Sequence, residues 1–214
     1  MTPASGMPAS SASGQLLIVV APSGAGKTSL VHHLLASRAG VIMSVSTTTR
    51  APRAGEREGV DYHFTTPEDF IERRDRGEFL EWARVHDNFY GTSKAWIEAQ
   101  LADGTDIVLD IDWQGAAQIR SKFPEAVAVF IAPPSMAALR SRLIARGKDS
   151  PEVIERRLAA ARTELEHAQD CQYVIVNQEF AAAATEFCGI LDTLCCRYPR
   201  QRMRHLPLFQ DLGM

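Results

Sequence analysis

The chain has 214 residues, enough for one domain with insertions or for a core carrying small subdomains. An apolar share of 45% supplies a sizeable core, and a formal net charge of −3 argues against the basic balance of wholesale nucleic-acid binding. No apolar run approaches the roughly 18 residues of a membrane span, so a cytoplasmic protein is expected. Cys171, Cys188, Cys195 and Cys196 form no C-x-x-C pair and lack flanking histidines. Free thiols in a reducing compartment are expected, not a zinc site or a disulfide framework. His32 and His33 are adjacent, so they point apart on a helix and belong to its surface.

Residues 1–14 are rich in Ser, Ala and Pro, without a basic or an apolar region, and read as a disordered tail, not a signal peptide. Leu16-Leu17-Ile18-Val19-Val20 is a continuous apolar run, as in a strand buried on both faces. A glycine-rich turn leads into a helix over 28–38, with Leu30, Val31, Leu34 and Leu35 on one face. The stretch from Met43 is polar, with turn signals at Ala51-Pro52, Ala54-Gly55 and Glu58-Gly59 and a short helix opened by Thr66-Pro67. It predicts a small inserted subdomain of short strands and a helix over 43–92.

Helices are then expected over 92–102, 114–123, 135–146 and 151–169, with a last one from 181. Buried strands are expected over 106–111, 126–132 and 173–177. Ser150-Pro151-Glu152 is a helix start, with a cap, a first-turn proline and an acid. Alternating strands and helices predict an α/β protein with a parallel sheet flanked by helices. The expected division is a domain over 15–200, with its core in 15–42, 93–133 and 171–200. An arginine-rich helical lid covers 134–170, and 201–214 is a C-terminal tail.

Ala21-Pro22-Ser23-Gly24-Ala25-Gly26-Lys27-Thr28 matches G-x-x-x-x-G-K-[ST] except at Ala21, and it follows an apolar strand and opens a helix. Gly24 and Gly26 permit the backbone angles and the close approach that turn successive N–H groups toward phosphates. Lys27 can reach the β- and γ-phosphates, and Thr28 can hold Mg²⁺ through its hydroxyl. A ligand-free turn would not need Lys and Thr after the second glycine, so a nucleotide site is expected. No N-K-x-D motif is present, which lowers a GTPase reading. Asp110 and Asp112 end an apolar strand, where ligands of parallel sheets gather. One could organise Mg²⁺ and the other meet an acceptor, or the pair could merely cap the next helix.

Beyond the loop, Ser44-Val45-Ser46-Thr47-Thr48-Thr49-Arg50-Ala51-Pro52-Arg53-Ala54-Gly55-Glu56 and Gly59-Val60-Asp61-Tyr62-His63-Phe64 resemble the guanylate kinase family. So do Phe79-Leu80-Glu81-Trp82-Ala83, Asn88-Phe89-Tyr90-Gly91-Thr92, Leu109-Asp110-Ile111-Asp112-Trp113-Gln114-Gly115 and Ile131-Ala132-Pro133-Pro134-Ser135. The resemblance runs from Leu16 to the last helix. It implies a P-loop NTPase core with an inserted GMP-binding subdomain and a helical lid, and a kinase moving the terminal phosphoryl of ATP, with Mg²⁺, onto GMP or dGMP.

The family pattern implies that Arg50, Arg53, Tyr62 and Tyr90 hold the GMP phosphate, a role suited to guanidinium forks and phenolic donors. Glu81 would accept from the N1–H and 2-amino group of guanine, with Ser46 and Thr92 at its 6-oxo group. Glu56, Gly91 and Asp110 would complete the acceptor site. Arg142, Arg146 and Arg157 match the lid arginines that neutralise charge on the donor phosphates, with Lys27 as the fourth catalytic cation. Asn177 matches a position near the adenine ring, and Thr28 with Asp112 would serve Mg²⁺. Arg140 and Arg156 read instead as a solvent face balanced by Glu152 and Glu155. Two rivals remain at this point: a P-loop kinase for another acceptor, and an inactive binding module of the same fold.

Overall fold

Strand β1, Leu16–Val20, is buried along its whole length. Its residues alternate between two cores, which accounts for the unbroken apolar run. Leu17 and Val19 join one cluster, and Leu16, Ile18 and Val20 join the other. In the computed structural model, which describes residues 14–85, 87–147 and 149–214, β1 is the centre of a five-stranded parallel sheet. Its order is β2-β7-β1-β8-β9, with β2 at Val41–Met43, β7 at Asp106–Asp110, β8 at Val127–Ala132 and β9 at Tyr173–Val176.

Helices cover both faces. On one side α1, Lys27–Ser37, buries Leu30, Val31 and Leu34 beside Phe187, Leu191 and Leu194 of α7, Phe180–Cys195. On the other side α3, Lys94–Ala102, and α4, Trp113–Lys122, pack Ile97, Leu101, Ala116 and Ile119 against Ile107, Leu109 and Phe130. The α/β fold with a flanked parallel sheet therefore holds. α3 starts two residues later than the expected 92, because Thr92 and Ser93 finish a strand and Ser93 caps the helix.

Between β2 and α3 lies a second, four-stranded sheet of order β4-β3-β6-β5. Its strands are β3, Thr47–Thr48; β4, His63–Phe64; β5, Phe79–Val85; and β6, Asn88–Ser93. Helix α2, Pro67–Asp75, is capped by Thr66, whose hydroxyl accepts from Asp69 N–H, and it lays Phe70 against Phe79 and Phe89. Helices α5, Met136–Ala145, and α6, Pro151–Glu166, share a separate small core of Leu139, Leu143, Ile154, Leu158 and Ala161.

Two expectations are corrected, and a third falls almost wholly outside the described residues. β9 is an edge strand in which Ile175 alone is buried, while Tyr173, Val174 and Val176 stand exposed. The segment 201–214 continues in helix: α8, Tyr198–Arg204, and α9, Leu206–Asp211, each begin with a proline in the first turn, where its missing N–H costs nothing. The tail over 1–14 lies outside the described residues except for Gly14, which is buried and donates its N–H to Leu101 O at 2.8 Å.

Candidate active site

β1 and β7 run parallel, so the turn after Val20 and the carboxylate of Asp110 meet at one sheet edge. Gly24 and Gly26 have φ of 93° and 100°, angles that L side chains resist. A Cβ at Gly26 would also fall 2.2 Å from Asn177 Nδ2, which donates to Ala25 O at 2.7 Å. Asn177 is thus a brace for the phosphate loop. Lys27 Nζ lies 2.5 Å from Asp110 Oδ1 and 3.5 Å from Ile111 O.

A cleft of about 570 Å³ opens over this edge. Ala21, Pro22, Ser23, Gly24, Gly26, Lys27 and Thr28 line one side, and Ser46, Tyr62, Glu81 and Tyr90 line the other. Asp110, Asp112, Arg142 and Arg146 complete it, so residues from four separate stretches of sequence converge. Ala25, Arg50, Arg53, Glu56, Gly91, Thr92, Arg157 and Asn177 do not line it. A smaller neighbouring cavity of about 280 Å³ touches Gly24, Gly26, Arg142 and Asn177.

Glu81 on β5 stands opposite Thr92 on β6 in the antiparallel register. Such a pair shares one face of the sheet, and Thr92 Oγ1 donates to Glu81 Oε1 at 2.5 Å. Only 3% of Glu81 is exposed. Burial pushes its carboxyl up to about 7, against the opposing pull of the Thr92 hydroxyl. Tyr62 and Tyr90 meet edge-on at 6.0 Å, and the Arg50 guanidinium lies 5.2 Å from the Tyr62 ring centre. Burial raises the Tyr62 phenol.

Glu56 reaches Arg50 at 2.8 Å and accepts from Arg53 N–H at 2.7 Å. The Arg50 hydrogen bond holds the Glu56 carboxyl below its ordinary range. Glu56 therefore orients the arginine loop instead of facing the cleft. Arg53 contributes its backbone there, and its side chain is exposed.

The arginines of 134–170 divide by role. Arg142 Nη2 donates to Asn177 O at 2.7 Å and Nη1 to Ala25 O at 3.3 Å, so it clasps the phosphate loop while also lining the cleft. Arg146 caps α5 and faces the cleft. Arg157 sits 3.1 Å from Asp149 and reaches Ser23 Oγ at 3.4 Å. Arg140 pairs with Glu155 in solvent, as its charge pattern suggested.

Asp112 is the N-cap of α4, accepting from Gly115 N–H at 2.9 Å and from Gln114 Nε2 at 3.0 Å. Among the described residues no group of three His, Cys, Asp or Glu is arranged to hold a metal. What the cleft offers instead is the Thr28 hydroxyl with the Asp110 and Asp112 carboxylates. Few hard oxygens fit Mg²⁺, which keeps its waters and leans on substrate phosphates.

Sequence reasoning missed Glu164, which lines the cleft from α6 and whose carboxyl is raised by burial. Its signal was an acid three residues beyond buried Ala161, on the packed face of the helix. Trp113, also lining the cleft, stacks on His167 with ring centres 3.9 Å apart.

The guanylate kinase family model matches residues 13–194. A guanylate kinase of Cupriavidus pinatubonensis is 52% identical over 201 residues, covering 94% of this chain and 93% of that one. One from Bordetella pertussis is 49% identical over 205 residues, 96% and 95% of the two chains. The crystal structure of guanylate kinase from Anaplasma phagocytophilum superposes with a TM-score of 0.75 at 34% identity, covering 91% of this chain and 94% of that one. A phosphate loop facing a buried carboxylate across one cleft, joined to this likeness along nearly the whole length, places the chain in the guanylate kinase family.

Proposed function

We propose that the cleft transfers the γ-phosphoryl group of ATP to GMP, releasing ADP and GDP, in the cytoplasm. One observation carries this reading: a single cleft joins the phosphate loop to Glu81, a buried carboxyl group that offers acceptors alone once ionised. Guanine presents N1–H and a 2-amino group to such a carboxylate, whereas adenine presents a bare N1 and a C2–H. The wrong base would leave Glu81 desolvated and unpaired. Ser46 and Thr92 serve the 6-oxo edge, and Gly91 lets β6 pack closely on Phe70 and Phe79 beside them.

Arg50, Arg53, Tyr62 and Tyr90 bind the acceptor phosphate, with Glu56 holding Arg50 in place. On the donor side, N–H groups of the loop cradle ATP, and Lys27 trades Asp110 for phosphate oxygens. Arg146 and Arg157 neutralise charge that builds on the transferring group, and Arg142 keeps the loop and Asn177 in register. Thr28, with Asp110 or Asp112, would hold Mg²⁺, which would supply further charge neutralisation at the phosphates. Asp110, released from Lys27, orients the acceptor. The 134–170 segment acts as a lid that excludes water when both nucleotides are present.

A coupled assay with ATP and each of GMP, dGMP, AMP and UMP tests the reading. GMP and dGMP should turn over, and equal turnover of AMP would overturn it.

A further inference from the structure

Helix α4 belongs to the core, yet it runs along β5, the edge strand of the inserted sheet, and pairs with it through side chains. Gln118 accepts from Trp82 N–H at 3.2 Å and donates to Trp82 O at 2.7 Å. Lys122 Nζ donates to Leu80 O. Gly115, Gln118 and Lys122 are three and four residues apart, hence on one face of the helix. Glu81 lies between Leu80 and Trp82, so this face bears on the base-reading carboxylate itself.

Gly115 is where they meet. A Cβ there would lie 2.4 Å from Glu81 Oε2 and 3.1 Å from Glu81 Cδ, while Ile111 Cδ1 stays at 3.4 Å. Backbone conformation gives no reason for glycine, since Gly115 is absent from the residues with positive φ. Helix propensity gives a reason against it, because alanine is the better helix former. The other carboxylate oxygen is already committed to Thr92, and the side chain is almost wholly enclosed. Glu81 therefore has little room to yield to a methyl group.

We propose that Gly115 is a positioning residue for base specificity: its bare Cα seats the Glu81 carboxylate at the depth where it meets the guanine edge. Acceptor choice is then set jointly by the inserted sheet and by a helix of the phosphate-loop core. The proposal rests on the reading of Glu81 given above.

The test compares the wild-type chain with Gly115→Ala, Glu81→Asp and the double variant, using ATP with GMP or AMP. Gly115→Ala should lower kcat/KM for GMP at least tenfold, chiefly through KM for GMP. KM for ATP and kcat/KM for AMP should stay within twofold. Glu81→Asp withdraws the carboxylate by one methylene, so it should cost less in the Gly115→Ala background than in the wild type. Wild-type GMP kinetics in Gly115→Ala, or strictly additive effects, overturns the proposal. If Gly115→Ala alone does not fold, the double variant should, because the space is restored; failure of both overturns it too. Glu81→Gln separates the two ideas. A collapsed GMP-to-AMP ratio there, with Gly115→Ala silent, sinks only the Gly115 seat, and an unchanged ratio sinks the Glu81 reading.

Discussion

Lys27 and Asp110 form an ion pair, Nζ to Oδ1 at 2.5 Å, across the floor of the cleft. The ammonium is thus held at the sheet edge before any phosphate arrives, and donor binding is an exchange of one anion for another. Lys27→Met should lower kcat by about two to three orders of magnitude, the usual cost of one transition-state charge contact. The fold should persist, because the pair is partly open to solvent. Turnover at the wild-type level in a folded Lys27→Met protein would refute the role.

Glu81 gives a pH dependence with a definite sign. Its carboxyl is raised by burial from an ordinary 4.5 to about 7. The native state therefore keeps its proton to higher pH than the unfolded chain does. Free-protein stability from this group is full below about 4.5 and is lost as pH rises through about 7. Guanine needs the ionised form, so kcat/KM for GMP should rise through that same interval. In Glu81→Gln the rise should flatten, and the free protein should melt higher than wild type at pH 8 by more than at pH 6. A wild-type profile flat between pH 6 and pH 8 would contradict this.

Lid closure is checked by hydrogen exchange. Protection across 142–157 should increase when a bisubstrate analogue binds, and no change there would count against a lid. Arg146→Ala should reduce kcat more than it raises KM for GMP if Arg146, which lines the cleft, serves the donor phosphates as proposed.

One contact that fastens the C-terminal helices can be read by stability measurements. Arg200 Nη1 lies 2.7 Å from Asp106 Oδ1, and that buried oxygen also accepts from Gln15 N–H at 2.7 Å. Arg200→Ala leaves the acid with a single donor. A loss of about 1–3 kcal/mol is expected, because Arg200 itself is partly exposed. The melting temperature should fall by roughly 2–10 °C with kcat unchanged. An unaltered melting temperature would show that the pair contributes nothing.

The central strand and its loop were legible because their signals are local: an apolar run, two glycines, then Lys27 and Thr28. β2 was not, since three residues carry no usable periodicity. Tyr173–Val176 reads the same whether a strand is central or at an edge, and the difference lies in which helices cover it. The tail expected over 201–214 is helical, with Pro199 and Pro207 each in the first turn of a helix. At the site, residue identity pointed to stretches of chain that meet around one cleft, but not to the direction of each side chain. Asp112 both lines the cleft and caps α4, so either sequence reading of that acid alone was incomplete, and the bonds from Arg142 to backbone carbonyls depend on docking between elements.

The strand order also sets a timetable for synthesis. β1 emerges first among the strands, but its partners are residues 107–110 on one side and 127–130 on the other. At ribosomal speeds of about 5–20 residues per second, Leu16–Val20 waits roughly 5–20 s for its second neighbour. Until residues 107–110 emerge both of its edges are unpaired, and until 127–130 emerge one edge stays open to other chains. Nascent chains halted before Val127 should therefore be chaperone-bound or aggregated, and release of the complete β8 segment should be the step that makes the product soluble.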